Sequence, residues 1–121
     1  MHYELLYPSL YIRAADLHGK DVTLTIDRIE VMELQRADGS KEKKPCVFFA
    51  ETVKKARENG EPDKAKRLVM NKTNARTVAG LYGTETDEWV GKKVILYAAM
   101  VSAFGKQTEA IRIRAEKPKE K

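Results

Sequence analysis

The feature that most constrains this chain is a change of phase inside one strand-like run. Val22, Leu24 and Ile26 alternate with Thr23, Thr25 and Asp27, and the apolar positions then move to Ile29 and Val31. Alternation with period two marks a strand that has one face in a core and one in water. A slip of one residue within it is what a β-bulge produces, and a bulge bends a first strand enough to turn the corner of a small barrel. Two short strands meeting at a kink would give the same pattern.

The remaining elements follow along the chain. Gln35 to Lys44 holds the turn signal Asp38-Gly39 together with Lys41, Lys43 and Lys44, and reads as a hairpin loop. Pro45 opens a second strand, Cys46 to Glu51, rich in the β-formers Val47, Phe48 and Phe49. Thr52 to Arg67 is dense in charge around Asn59-Gly60 and Pro62, so it reads as an exposed excursion with one or two helical turns at Val53 to Glu58. Leu68 to Met70 returns as a short strand. Asn71 to Gly83 carries the signature of a helix: Asn71 or Thr73 caps it, Ala75, Val78, Leu81 and Tyr82 share a face, and Gly83 ends it. In the connector Thr84 to Lys92, Asp87 can cap a single turn bearing Trp89. Lys93 to Val101 contains the unbroken run Val94, Ile95, Leu96 and Tyr97, which predicts a strand buried on both faces and makes Trp89 and Tyr97 packing residues. A turn at Gly105-Lys106 leads to the last strand, Glu109 to Ala115, with Ile111 and Ile113 inward and Arg112 and Arg114 outward.

The order is strand, strand, strand, helix, strand, strand. This is the element sequence of the OB-fold, a five-stranded, partly open Greek-key barrel, here with one short helix between strands 3 and 4 and a polar insert between strands 2 and 3. Val78, Leu81 and Tyr82 would plug the open end of the barrel. Residues 1–116 then form one domain, with 1–16 as an amino-terminal extension, 52–67 as the insert and 117–121 as a charged tail. A length of 121 residues suits one module.

Composition narrows the function classes. A mean hydropathy of -0.54 and 34% charged residues argue against a membrane protein, and no apolar run reaches the ~18 residues of a spanning helix. With no secretory pattern at Met1 to Leu10, the expected location is the cytoplasm. The net charge of +5 is unevenly spread. Residues 1 to 40 hold four basic and seven acidic groups, a balance of -3, whereas 41 to 121 hold nineteen and eleven, a balance of +8. A basic region attracts polyanions.

No catalytic constellation is legible. His18 sits beside Gly19 in a turn, Cys46 begins a strand without a neighbouring partner, Asp87 and Glu88 serve as caps, and the glycine spacing makes no phosphate cradle. The lone Cys46 with His2 and His18 makes a structural metal site improbable. The expectation is a protein with no enzymatic activity, cofactor or metal.

The segments "LHGKDVTLTIDRIEVMEL", "KPCVFFAE", "LVMNKTNARTVAGLYGTETDEWVGKKVILYAAMV" and "FGKQTEAIRIR" resemble a family of small uncharacterised proteins encoded in bacteriophages and prophages. The resemblance covers roughly residues 8 to 115, and its most specific parts are "NKTNA", "LYG" followed by "WVGK", and "AIRIR". It implies an OB-like barrel, residence in a bacterial host cell and a role beside phage replication or recombination.

The functional expectation is single-stranded nucleic-acid binding, to DNA or RNA, across the second and third strands and their bordering loops. The candidate residues are Lys41, Lys43 and Lys44 in the first loop, Phe104 and Lys106 in the last, and Arg112 and Arg114 on the final strand. Phe49, or Phe48 beside it, would be the outward aromatic on which a base stacks. The alternative is a module that binds a phage or host protein through its sheet edge, insert or loops, without nucleic acid. Aromatic residues make up only 7% of the chain, which favours that alternative, while the basic balance favours nucleic acid. Free strand edges also make a homodimer plausible.

Overall fold

The computed structural model describes residues 10–35, 38–103 and 105–118, with the backbone alone at Gln35 and Ala103. Its strands are β1 (Val22–Gln35), β2 (Lys41–Phe49), β3 (Arg67–Val69), β4 (Lys93–Ala103) and β5 (Lys106–Ile113). They form one antiparallel open sheet in the order β3-β2-β1-β4-β5. Two helices, α1 (Ala50–Glu58) and α2 (Lys72–Tyr82), follow β2 and β3.

β1 serves two partners in turn. Val22 to Thr25 pair with β4, Ile26 onward pairs with β2, and the register slips between Ile26 and Arg28. Asp27 is the extra residue, so the phase change seen in the sequence is a bulge. Ile26 also holds the strand at this bend, donating its N–H to the Lys92 carbonyl and accepting from the Gly91 N–H, both at 2.8 Å. The result is two wings hinged on β1: β2 and β3 with its later half, β4 and β5 with its earlier half. Val31 was expected on the core face, yet it is 68% exposed because the β1–β2 hairpin runs on past the core, where its partner is Pro45.

The main core fills the space between the wings. Ile26, Val47, Phe49 and Leu68 come from one side, and Leu24, Val94, Leu96, Ile111 and Ile113 from the other. α2 closes it with Val78, fully buried, and with Ala75, Ala79 and Tyr82 packed around. The capping signals act as read: the Asn71 side chain accepts from the Asn74 N–H, and Gly83 ends the helix at φ 96°, where a side chain would strain. Trp89, in a 3-10 turn over Thr86–Trp89, is buried and donates its indole N–H to the Gly83 carbonyl at 2.8 Å.

The insert does not stand in solvent. Helix α1 starts directly at the end of β2, and its Val53 and Ala56, with Ala65 beyond it, pack on Cys46 and Phe48 of the outer sheet face. The single Thr52 hydroxyl proton is shared between the Phe49 and Lys66 carbonyls, 3.1 and 2.8 Å away, tying both ends of the insert together. Arg67, 5% exposed, donates to the Ala65 and Asp63 carbonyls and lies over the Phe48 ring at 4.6 Å. A small second core therefore backs the Cys46 to Phe49 end of β2, which is buried on both faces. Among the described residues no helix is long and apolar enough to cross a membrane.

Candidate functional site

Covering the β2–β3 face removes the surface on which base stacking was expected. Phe49 pairs with Ile26 in the main core and is 1% exposed; Phe48 points to the opposite face and is 3% exposed beneath the insert. Adjacent strand positions do face opposite ways, but here both faces are covered, so Phe49 is corrected from stacking platform to core residue. Phe48 is held between two guanidinium groups, Arg28 at 4.0 Å and Arg67 at 4.6 Å from the ring centre.

The hairpin lysines do not form one patch. They lie within β2 rather than in a loop, because the β1–β2 pairing extends to Gln35 and Lys41. Strand alternation sends Lys41 and Lys43 to one face and Lys44 to the other. Lys41 pairs with Glu33 at 3.3 Å and Lys44 with Glu42 at 3.7 Å, so acidic neighbours offset part of the charge. Lys106 is exposed at the start of β5. Since β1 and β4 are antiparallel, the β1–β2 and β4–β5 turns leave the sheet at opposite ends, and the register does not set Lys106 beside the other lysines. Phe104 lies outside the described residues.

What the fold does bring together lies on the outer face of the β4–β5 wing. Arg112 sits directly across from Tyr97, and Arg114 reaches over the same ring with its guanidinium 3.8 Å from the centre. Thr23, Ile95, Tyr97, Ala99, Ala110, Arg112 and Arg114 are exposed or half-buried, and among the described residues no layer comparable to α1 seals them. The expectation that β4 is buried on both faces is therefore corrected: its even positions Val94 and Leu96 are core, while its odd positions face outward.

Two arginines share this face, and one of them is already paired. Arg114 is gripped by Asp21 through two hydrogen bonds, at 3.0 and 3.2 Å, and this hydrogen bonding raises its already high pKa. Both partners are well exposed, so solvent screens the pair. Arg112 donates to the Ile111 carbonyl at 3.3 Å, a long bond that leaves its other donors available.

Tyr97 is the residue that sequence reasoning missed. A signal existed: a two-residue connection between Ala103 and Lys106 fixes the register, and counting back from it sets Tyr97 against Arg112.

Asp87 and Glu88, expected as caps, lie instead inside the 3-10 turn over Thr86–Trp89, whose N-cap is Glu85 and which has no side-chain cap bond. Cys46 is fully buried, and burial pushes its thiol up, with the nearby Arg67 charge opposing the shift. His18 is an exposed cap with φ 52° at the end of a 3-10 turn over Ala14–Leu17. Among the described residues no group of His, Cys, Asp and Glu is arranged to hold a metal ion. No protein-family model, curated protein or solved structure matches this chain.

Proposed function

We propose that this protein is a non-catalytic module that binds single-stranded nucleic acid on the outer face of its β4–β5 wing. The observation that carries the reading is the convergence of Tyr97, Arg112 and Arg114 on the less covered of the two wings. A base stacked on such an aromatic contributes about 1 to 3 kcal/mol, and arginines supply phosphate contacts that weaken with salt. The basic balance of residues 41 to 121 adds attraction at longer range.

The strand order supports the finer description of the fold as an OB-type barrel opened between β3 and β5, with α2 in the position where that barrel carries its helix. The resemblance to phage-encoded proteins supports a place beside replication or recombination in a bacterial host cytoplasm. In this reading the insert has displaced the usual β2–β3 binding face, and recognition has moved around the barrel.

The test is fluorescence anisotropy with labelled single-stranded and duplex DNA and RNA at two or more salt concentrations. Single-strand binding that falls steeply with salt and is weakened by Tyr97→Ala is the expected result. No binding at low salt would overturn the proposal, and equal binding of duplex would remove its stacking component.

A further inference from the structure

The ring of Tyr97 already carries a flat, hydrogen-bonded group on its face. The Arg114 guanidinium lies 3.8 Å from the ring centre and turns two N–H donors to the two carboxylate oxygens of Asp21, at 3.0 and 3.2 Å. The backbone beneath it is fixed, because the Arg114 N–H donates to the Ile95 carbonyl at 2.9 Å. The side chain is held far less firmly, since both members of the ion pair are exposed and solvent screens them. Arg114 can therefore leave the ring without any change in the sheet.

Asp21 is the part of this arrangement that phosphate contacts leave unexplained. Val22 pairs with Leu96, so Asp21 stands one step further along, level with Tyr97, while Arg112 pairs with Tyr97 from the other side. The ring thus has a carboxylate toward β1 and an arginine toward β5. A carboxylate repels phosphate and only accepts hydrogen bonds. A ligand lying across this ring needs donors at one edge and negative charge at the other.

The guanidinium itself displays the matching chemistry. Two adjacent N–H groups in one plane, stacked on an aromatic face and forked onto a carboxylate, are also what the Watson–Crick edge of guanine presents through N1–H and its N2 amino group. Adenine and cytosine carry a ring acceptor beside their amino group. Thymine and uracil carry carbonyls on both sides of their single N–H, so every base but guanine sets an acceptor against Asp21. Unpaired bases are recognised by stacking and by hydrogen bonds on this edge, and bidentate bonds to a carboxylate are among the stronger ones.

We infer that Tyr97 and Asp21 form a guanine subsite for an unpaired base. The base takes the place of the Arg114 guanidinium on the ring and donates its N1–H and N2–H to Asp21. The released Arg114 joins Arg112 on the flanking phosphates. This inference rests on the proposed nucleic-acid face and adds a base preference to it, with Asp21 as the residue that sets the preference.

The experiment is fluorescence anisotropy at low salt on the full chain, with labelled thymidine nonamers that carry guanine, hypoxanthine or thymine at the central position. The guanine oligomer should bind about tenfold tighter than the thymine one, and hypoxanthine, which lacks the N2 amino group, should lose most of that gain. Asp21→Asn should erase the preference, because the guanine loses its paired acceptor while the thymine oligomer gains from the freed Arg114. If that variant misfolds by circular dichroism, the hypoxanthine comparison on the unmodified chain decides. Equal affinity for guanine and thymine, hypoxanthine as tight as guanine, or a preference that survives in folded Asp21→Asn would overturn the inference and leave the proposed nucleic-acid face standing. Displacement of the guanine nonamer by an equal concentration of guanosine monophosphate would also overturn it, since the ligand would then be the free nucleotide. No binding of any oligomer would overturn the face and the subsite together.

Discussion

Phe48 and Tyr97 are the same local device in two settings. Each is an aromatic ring on an outer sheet face with arginine stacked on it, Arg28 and Arg67 in the first case and Arg114 in the second. Phe48 is 3% exposed beneath the insert, while Tyr97 remains half-buried and open to solvent. The chemistry of the pair does not decide between a structural and a binding role. The covering layer does, because it determines whether a ring exchanges water for protein at folding or for a ligand afterwards.

The comparison can be broken most severely on the covered side. Phe48→Ala should destabilise the fold by about 3 to 5 kcal/mol through the cavity and lost ring contacts, read as a lower urea midpoint. Tyr97→Ala should shift that midpoint far less while removing the larger share of oligonucleotide affinity. Equal destabilisation by both would erase the distinction between the wings.

Next in size is Val53→Asp, which puts an unpaired carboxylate against Cys46 and Phe48. It should lift the insert, costing about 1 to 3 kcal/mol or more, and a thiol reagent should then modify Cys46 under native conditions. In the parent chain the thiol should react only on unfolding.

On the open side, Arg112→Glu with Arg114→Glu should weaken single-strand binding by about tenfold or more at low salt and flatten its salt dependence, with the urea midpoint nearly unchanged. An unchanged salt slope would place the phosphates elsewhere on the molecule.

A pH dependence separates the wings more gently. Burial opposes ionisation of Asp16, but the Arg13 backbone N–H and Lys66, at 2.8 and 3.4 Å, outweigh it and hold the carboxyl below its ordinary 3.8. A depressed carboxyl stabilises the fold above its unfolded value and loses that contribution as the pH falls through its folded value. Thermal melts taken from neutral pH to below 3.8 should therefore lose stability, and Asp16→Asn should flatten part of the decline. Lys66 belongs to the insert, so the covered wing is the side that loosens.

Asp21→Asn should have the smallest effect. It releases Arg114 from an exposed ion pair, so stability should barely change and oligothymidylate affinity should rise modestly, as measured by anisotropy.

Much of the fold was readable beforehand, for reasons local to particular residues. The slip from Ile26 to Ile29 announced the bulge, Asp38-Gly39 the hairpin, and Asn71 with Gly83 the limits of α2. The insert was misread because Val53, Ala56 and Ala65 are few among many charges and give too weak a periodicity to show a face. A partial signal lay in the unbroken apolar run Cys46 to Phe49, which implies cover on both sides. The similar run Val94 to Tyr97 gave the opposite error, since its odd residues are apolar but face outward.

By itself, then, the sequence determined the element order, the bend in β1, the two inner faces and the helix that closes them, because these follow from periodicity and from turn and cap chemistry within a few residues. Only the tertiary structure decided which outer face is sealed, which arginines meet which ring, and which strand edge the Leu10 to Ile12 segment covers. Those outcomes depend on where α1 and the Leu10 to Ile12 segment come to rest against strands distant in the chain, and side-chain burial there is a property of the layer above, not of the residue beneath.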